Sequence, residues 1–372
     1  MLASTTKLSG RSPIGFREGA GNMEPHYSTG QRLEPGFISA TSDEVDLAAR
    51  LAAEAFEVYR RVSGRDRGAF LRTIASKIEV IAGEIVERAG QETALPAGCL
   101  QAEAARTCNQ LRVFAQVAED WSWFNARIDR ERHRQPTPRP DIRSMLHPPG
   151  PAVVFGASNF PLAFSVAGGD TASALAGLNT VIVKARAAHP RTSELVGRAA
   201  QQAVRECGLP EGVFSVFFES GPQIRTALMK HPLVKEGFTG SRVAGRILMD
   251  VAAARPEPIP FPAEMSSTNA VFISPGALRE RGESIAETAT THGTEQDLHD
   301  FDDLILILES KWAPRVQPLP HRSRSVPRHR CTADPIPRPR MAPRRLSAGM
   351  RSSGSRACSA TRDFPTAPCP KN

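Results

Sequence analysis

The chain has 372 residues, 40% of them apolar and only 6% aromatic, with a formal charge of +8. That length accommodates two or three ordinary domains, and the composition excludes a collagen and a small disulfide scaffold. No run of about 18 uncharged apolar residues occurs, so no membrane-spanning helix is predicted.

Residues 1–40 are rich in Gly, Ser and Pro and predict a mostly extended lead-in without a secretory signal. Thr41 or Ser42 is placed as a helix N-cap, with Asp43, Glu44 and Asp46 in the first turn, where the helix dipole favours them. Ala48, Ala52, Ala55, Phe56 and Tyr59 follow at helical spacing. A second stripe runs Phe70, Ile74, Ile78, Ile81 and Ile85, and a third Cys108, Leu111, Ala115, Ala118 and Trp121. Helical packing alone accounts for these stripes as core. The six cysteines show no CxxC spacing, which predicts reduced thiols and a cytoplasmic protein. Cys99, Cys108 and Cys207 fall in helical segments and read as buried apolar side chains.

After the Pro-punctuated stretch 135–143 the pattern turns to strand–turn–helix repeats. Strands are predicted at Ala152–Phe155, at Val181–Val183 ending on Lys184, at Val213–Phe218 and at Ala270–Ile273. Helices are predicted between them at Leu162–Leu178 and Thr192–Cys207. Such alternation predicts an α/β protein with a doubly wound, mostly parallel sheet, whose ligands sit beyond the carboxyl ends of the strands.

Several residues follow those strands. Asn159, in FGASNFP, could place its amide against an oxyanion, or could simply cap a turn. Lys184 could reach a ribose hydroxyl or phosphate, or could snorkel to water from a strand end. The turns Glu219–Pro222 and 238–245 contain Gly221, Gly240 and Ser241 and could bring backbone N–H groups to a pyrophosphate, though neither is a full GxGxxG. Glu264 is a lone carboxylate in a neutral neighbourhood, either a surface residue or, if partly buried, a general base.

In combination the motifs are far more specific. FGASNFPLAFSVAGGDTASALAG at 155–177, TSELV at 192–196, FTGSRVAGR at 238–246 and ARPEPIPF at 254–261 resemble the NAD(P)-dependent aldehyde dehydrogenase superfamily. RTCNQLRVFA and PRPDIR upstream support this, and the resemblance is closest to the α-ketoglutaric semialdehyde (2,5-dioxovalerate) dehydrogenase branch. It covers residues 35–291 and implies a Rossmann-like cofactor domain over 41–265 and a stub of the catalytic domain over 266–291. It also implies that Asn159 donates to the thiohemiacetal oxyanion, that Lys184 contacts the adenosine ribose, and that Glu264 activates the deacylating water. Gly221 and the Gly240–Ser241 turn would lie against the adenine side and the pyrophosphate. Relatives preferring NAD usually carry a glutamate three residues after the lysine. Here that position is Ala187, beside Arg186, so the resemblance implies NADP or NAD, with NADP bound at least as tightly.

The sequence also departs from the pattern. The family's nucleophilic cysteine belongs near Phe301, yet no cysteine lies between Thr291 and Glu309. The family's Glu-Leu-Gly is Glu264-Met265-Ser266 here, and the strand before Phe238 is one residue short, which would flip its register. From Trp312 onward the chain carries 12 Arg and 1 Lys against 2 Asp, with 11 Pro in 61 residues. That tail therefore holds +11, and the 311 residues before it hold −3. Residues 292–372 read as a non-family tail, disordered where it is Arg/Pro/Ser-rich. Its composition matches out-of-frame translation of a GC-rich gene, or a basic arm for an acidic partner. The acidic body offers nucleic acid no electrostatic attraction. The expectation is an aldehyde dehydrogenase by descent, with a small aldehyde as substrate and chemistry disabled, that lacks the family's oligomerisation segment. The alternatives are a cofactor-binding remnant or a non-enzymatic protein with a basic interaction tail.

Overall fold

The computed structural model describes residues 8–28, 31–131, 137, 139–219, 221–238, 242–263, 265, 269–292 and 304–307. The described residues all fall in one compact unit, and residues 309–372 lie outside the described ones.

The lead-in is more organised than its composition implies. Strands β1 (Pro13–Ile14) and β2 (Arg17–Glu18) pair antiparallel, as do β3 (Asn22–Ser28) and β4 (Gln31–Ser39). Helix α1 (Ser42–Tyr59) starts at a Thr41 capping box: Glu44 N–H donates to Thr41 Oγ1 (3.3 Å), and Thr41 N–H donates to Glu44 Oε2 (2.8 Å). Helices α2 (Gly64–Val80), α3 (Ala82–Thr93) and α4 (Ala97–Glu119) follow. The predicted second stripe is divided at Ile81, which ends α2 and begins α3. Trp121 is not core: α4 ends at Glu119, and the indole in the next 3-10 turn is 59% exposed. Cys99 is likewise exposed rather than buried, because it lies in the first turn of α4, away from the packed stripe.

The antiparallel pair β5 (Arg127–Asp129) and β6 (Ile142–Ser144) leads into the main sheet. Its strands are β7 (Ala152–Phe155), β8 (Val181–Lys184), β9 (Phe214–Phe217) and β10 (Glu236–Phe238). They are all parallel, in the order β10-β7-β8-β9. Helices α5 (Gly169–Ala176), α6 (Pro190–Glu206) and α7 (Gln223–Lys230) provide the crossovers, and α8 (Arg242–Ala253) follows β10. Beyond them, β11 (Asn269–Phe272) pairs parallel with β12 (Leu304–Ile307), flanking α9 (Pro275–His292). Leu304–Ile307, within the stretch 292–372 read as a non-family tail, is thus a strand paired with β11.

Alternation along the strands divides the core into two layers, since successive side chains point to opposite faces. Val154, Val181, Val183, Phe214 and Val216 pack on one side with Phe70, Leu71, Ile74, Leu111, Leu175 and Leu195. Val153, Ile182 and Phe217 pack on the other with Val45, Ala48, Ala52, Ile224 and Leu228. Each layer buries large apolar side chains, each contributing roughly 1.5–3 kcal/mol. Among the described residues no helix is long and apolar enough to cross a membrane.

Polar anchors tie the lead-in to this sheet. Arg191, fully buried in the first turn of α6, donates to the carbonyls of Pro35 (3.0 Å) and Gly36 and to Glu194 Oε2 (2.6 Å). Glu194 in turn accepts from the backbone N–H groups of Ser9 (2.7 Å) and Gly10 (3.0 Å). Gly10 has φ +78°, and a Cβ there would collide with the Gly36 carbonyl. Glu92 of α3 accepts from the N–H groups of Arg191 (2.9 Å) and Thr192 (2.8 Å), two free donors at the start of α6. At the outer edge of β9, Ser215 Oγ accepts from Gly15 N–H (2.9 Å). Just beyond, Ser12 Oγ accepts from Phe218 N–H (3.0 Å), and Ala40 N–H donates to the Phe218 carbonyl (2.9 Å).

Arg191→Leu is expected to destabilise the fold by about 1–3 kcal/mol, because the Pro35 and Gly36 carbonyls and Glu194 Oε2 lose a buried donor, while Glu194 keeps Arg198 at 3.0 Å. Urea unfolding measures this, and a midpoint equal to that of wild type would show the anchor to be dispensable. His189 precedes α6 with its ring fully buried, and burial holds its pKa at about 4. The unfolded ring takes up its proton nearer about 6.5, so the neutral ring stabilises fully above that pH and progressively less as pH falls toward about 4. The deficit caused by His189→Asn is therefore expected to shrink across that window. A deficit that stays constant from pH 7 to pH 4.5, on the order of the same kcal/mol throughout, would contradict it.

Candidate functional site

Register brings three loops together. Phe155 of β7 lies beside Lys184 of β8, and Lys184 beside Phe217 of β9, so all three chains leave the carboxyl edge as neighbours. A doubly wound sheet binds its ligands at such an edge.

The loop after β7 is held from several sides. Gly156 N–H donates to the Lys184 carbonyl (3.1 Å), and Ala157 N–H to the Phe164 carbonyl (2.8 Å). A Cβ on Gly156 would stand 3.2 Å from Ser165 Oγ and 3.4 Å from Arg186 N, so the close approach favours glycine. His189 Nε2 lies 2.9 Å from the Ala157 carbonyl, and its Nδ1 lies 3.3 Å from Ser193 Oγ. Asn159, on this loop, is buried. The predicted helix from Leu162 begins only at Gly169. The reason is a carboxylate from another element: Glu103 Oε1 of α4 accepts from both Leu162 N–H (2.7 Å) and Ala163 N–H (2.8 Å). Burial raises the Glu103 pKa, and those two amides oppose the rise.

Lys184 Nζ donates to the backbone carbonyl of Glu219 (3.0 Å), bridging the ends of β8 and β9. Burial lowers its pKa to about 8, with the Glu219 charge opposing the shift and Arg186 and Arg225 adding to it. Arg186 is exposed and Ala187 half-buried. Glu219 is 3% exposed. Its Oε1 accepts from Ile224 N–H at 2.6 Å, in the first turn of α7, while Oε2 has no hydrogen-bond partner among the described residues. Gly221 lies half-buried in the turn between Glu219 and α7. Gly240, Ser241, Glu264 and Phe301 lie outside the described residues.

The structure thus gathers Lys184, Gly221 and the loop bearing Asn159 at one edge. It adds Glu219, His189 and Glu103, which the sequence reading did not assign roles. Only Glu219 carried a local signal, a charge directly after an apolar strand. Two of the three described cysteines, Cys108 and Cys207, are poor nucleophiles. Burial pushes the Cys108 thiol up to about 11 and also raises that of Cys207. No group of three or more metal-ligating side chains occurs among the described residues.

Comparison with known proteins accords with this geometry. Alpha-ketoglutaric semialdehyde dehydrogenase 2 of Azospirillum brasilense is 48% identical over 289 residues, covering 75% of this chain and 55% of that protein. The alpha-ketoglutaric semialdehyde dehydrogenase of Acinetobacter baylyi is 46% identical over 253 residues, covering 68% and 48%. The chain therefore spans about half the length of the curated relatives it matches. Betaine aldehyde dehydrogenase of Staphylococcus aureus, solved in complex with NAD+, superposes with a TM-score of 0.62 at 20% identity over 72% of this chain and 52% of that one, a likeness of fold. The aldehyde dehydrogenase family pattern itself matches residues 29–293. By that match and those relatives, the chain belongs to the aldehyde dehydrogenase family.

Proposed function

We propose that this chain binds a nicotinamide dinucleotide at the carboxyl edge of its parallel sheet and does not complete aldehyde oxidation. The observation that carries the binding is the partly desolvated ammonium of Lys184 beside the buried Glu219, whose Oε2 has no partner among the described residues. A donor and an acceptor presented together fit the vicinal hydroxyls of a ribose, which accept and donate in the same way. Lys184 would donate to a ribose hydroxyl, and the Gly221 turn would admit the adenosine close to backbone. Gly240 and Ser241 would receive the pyrophosphate, as the family resemblance implies. When bound, a nicotinamide supplies a hydride acceptor.

For an aldehyde substrate, Asn159 would donate to the carbonyl oxygen and stabilise its developing charge. Glu264 would take the proton of an attacking water. The relatives named for alpha-ketoglutaric semialdehyde point to a short oxo-acid aldehyde as the compound for which these residues were shaped. What is missing is the thiolate. Phe301 stands where the family's cysteine is expected, and the thiols of Cys108 and Cys207 are held protonated. Without addition of sulfur to the carbonyl carbon, no tetrahedral centre forms from which hydride can leave.

Two measurements test this. Calorimetric titration of the full chain is expected to show saturable dinucleotide binding. Incubation with the dinucleotide and α-ketoglutaric semialdehyde is expected to yield no reduced cofactor above a no-protein control. Sustained turnover would overturn the inactive reading, and absence of binding would overturn the dinucleotide reading. Separately, reductive methylation with 13C-formaldehyde is expected to reveal one lysine resonance titrating near about 8, missing in Lys184→Met. Lysines that all titrate near about 10.4 would show the Lys184 ammonium to be fully solvated.

A further inference from the structure

The expectation of NADP rested on Ala187, which offers no carboxylate three residues after Lys184. The fold supplies a carboxylate from the next strand. β9 runs through Phe218 into Glu219, which is buried, while α7 turns back so that Ile224 N–H binds one carboxylate oxygen at 2.6 Å. The other oxygen, Oε2, is buried and has no partner among the described residues. A buried carboxylate oxygen without a donor is costly, and such atoms in folded proteins usually await a ligand or a water. Lys184 fixes where that ligand would lie. Its Nζ donates to the Glu219 backbone carbonyl at 3.0 Å, so the ammonium lies against the residue that carries the carboxylate.

Resting on the dinucleotide reading above, we propose that Glu219 is the residue that determines cofactor specificity. Its Oε2 accepts a hydroxyl of the adenosine ribose and repels a phosphate ester at that position, so the chain takes NAD in preference to NADP. Two cations compete with this effect. Arg186 is exposed, and Arg225 is half-buried in the first turn of α7. Water screens the charge of Arg186. The Glu219 carboxylate is enclosed, and a phosphate brought against it meets a like charge with little solvent between.

The test is calorimetric titration of the full chain with four probes: NAD, NADP, 5′-AMP and adenosine 2′,5′-bisphosphate. Wild type is expected to bind NAD at least about tenfold more tightly than NADP, with the same order between the two fragments. Glu219→Gln keeps the shape and removes the charge, and is expected to narrow both ratios to within about threefold, chiefly by tightening the phosphorylated probes. Circular dichroism checks that the variant is folded, and Glu219→Ser replaces it if it is not. Equal or tighter binding of NADP by wild type would overturn the proposal, as would unchanged ratios in the folded variants. Failure of all four probes would instead remove the dinucleotide reading and this proposal with it.

Discussion

A buried guanidinium must have its donors satisfied, and Arg191 meets that requirement in a way that organises the molecule. Its side chain reaches the carbonyls of Pro35 and Gly36, which lie on β4, and the carboxylate of Glu194 one turn along α6. Glu194 then binds the backbone at Ser9 and Gly10, and Glu92 arrives from α3 to accept the N–H groups that open α6. Lead-in, hairpin, α3 and α6 therefore meet around one cation. Breaking a link leaves a buried donor or acceptor unmet, which costs about 1–3 kcal/mol, although Glu194 also keeps Arg198. This dependence adds to the apolar anchoring of the lead-in by Ile14 and Phe37, both buried in the core.

The candidate site inherits its rigidity from that centre. α6 begins right after the loop carrying Arg186, Ala187 and His189, and His189 lies against the Ala157 carbonyl in the loop after β7. The position of Asn159 is thus linked through an imidazole to the first turn of α6, whose amides are held by Glu92. Glu103 performs a parallel task from α4, gripping the amides of Leu162 and Ala163. Side chains on α3, α4 and α6 therefore set the geometry of the loop that carries Asn159.

The parallel strands were legible because each is a short apolar run bounded by turn residues, and β7 and β8 fall where those runs lie. The Thr41 cap was legible for a similar reason, since a capping box is local in sequence. Leu162–Gly168 read as helix because its composition is helical, but the competing partner, Glu103, lies some sixty residues away. Trp121 and Cys99 were misplaced because periodicity gives a face without saying where a helix stops packing. Glu219 is the clearest case of information absent from local pattern. The sequence shows a charge after a strand, and only the return of α7 encloses it. Lys184 and Asn159 stood out only as alternatives until the resemblance gave them roles, because a lysine at a strand end and an asparagine in a turn are each commonplace.

The outer side of β9 bears on how copies of this chain meet one another. A parallel sheet leaves a row of amide groups along its last strand, and such a row is a template for a strand from another molecule. Beside that row the lead-in is fastened: Ser215 Oγ accepts the Gly15 amide, and one residue past β9 the Phe218 amide and carbonyl bind Ser12 Oγ and Ala40 N–H. The described lead-in thus acts as a guard rail, standing against β9 with β1, a strand of only two residues. A molecule trimmed of that segment would offer a sticky flank and lose several partners of Arg191 and Glu194 at once, so proteolysis at the N-terminus would loosen its core as it raised its tendency to polymerise.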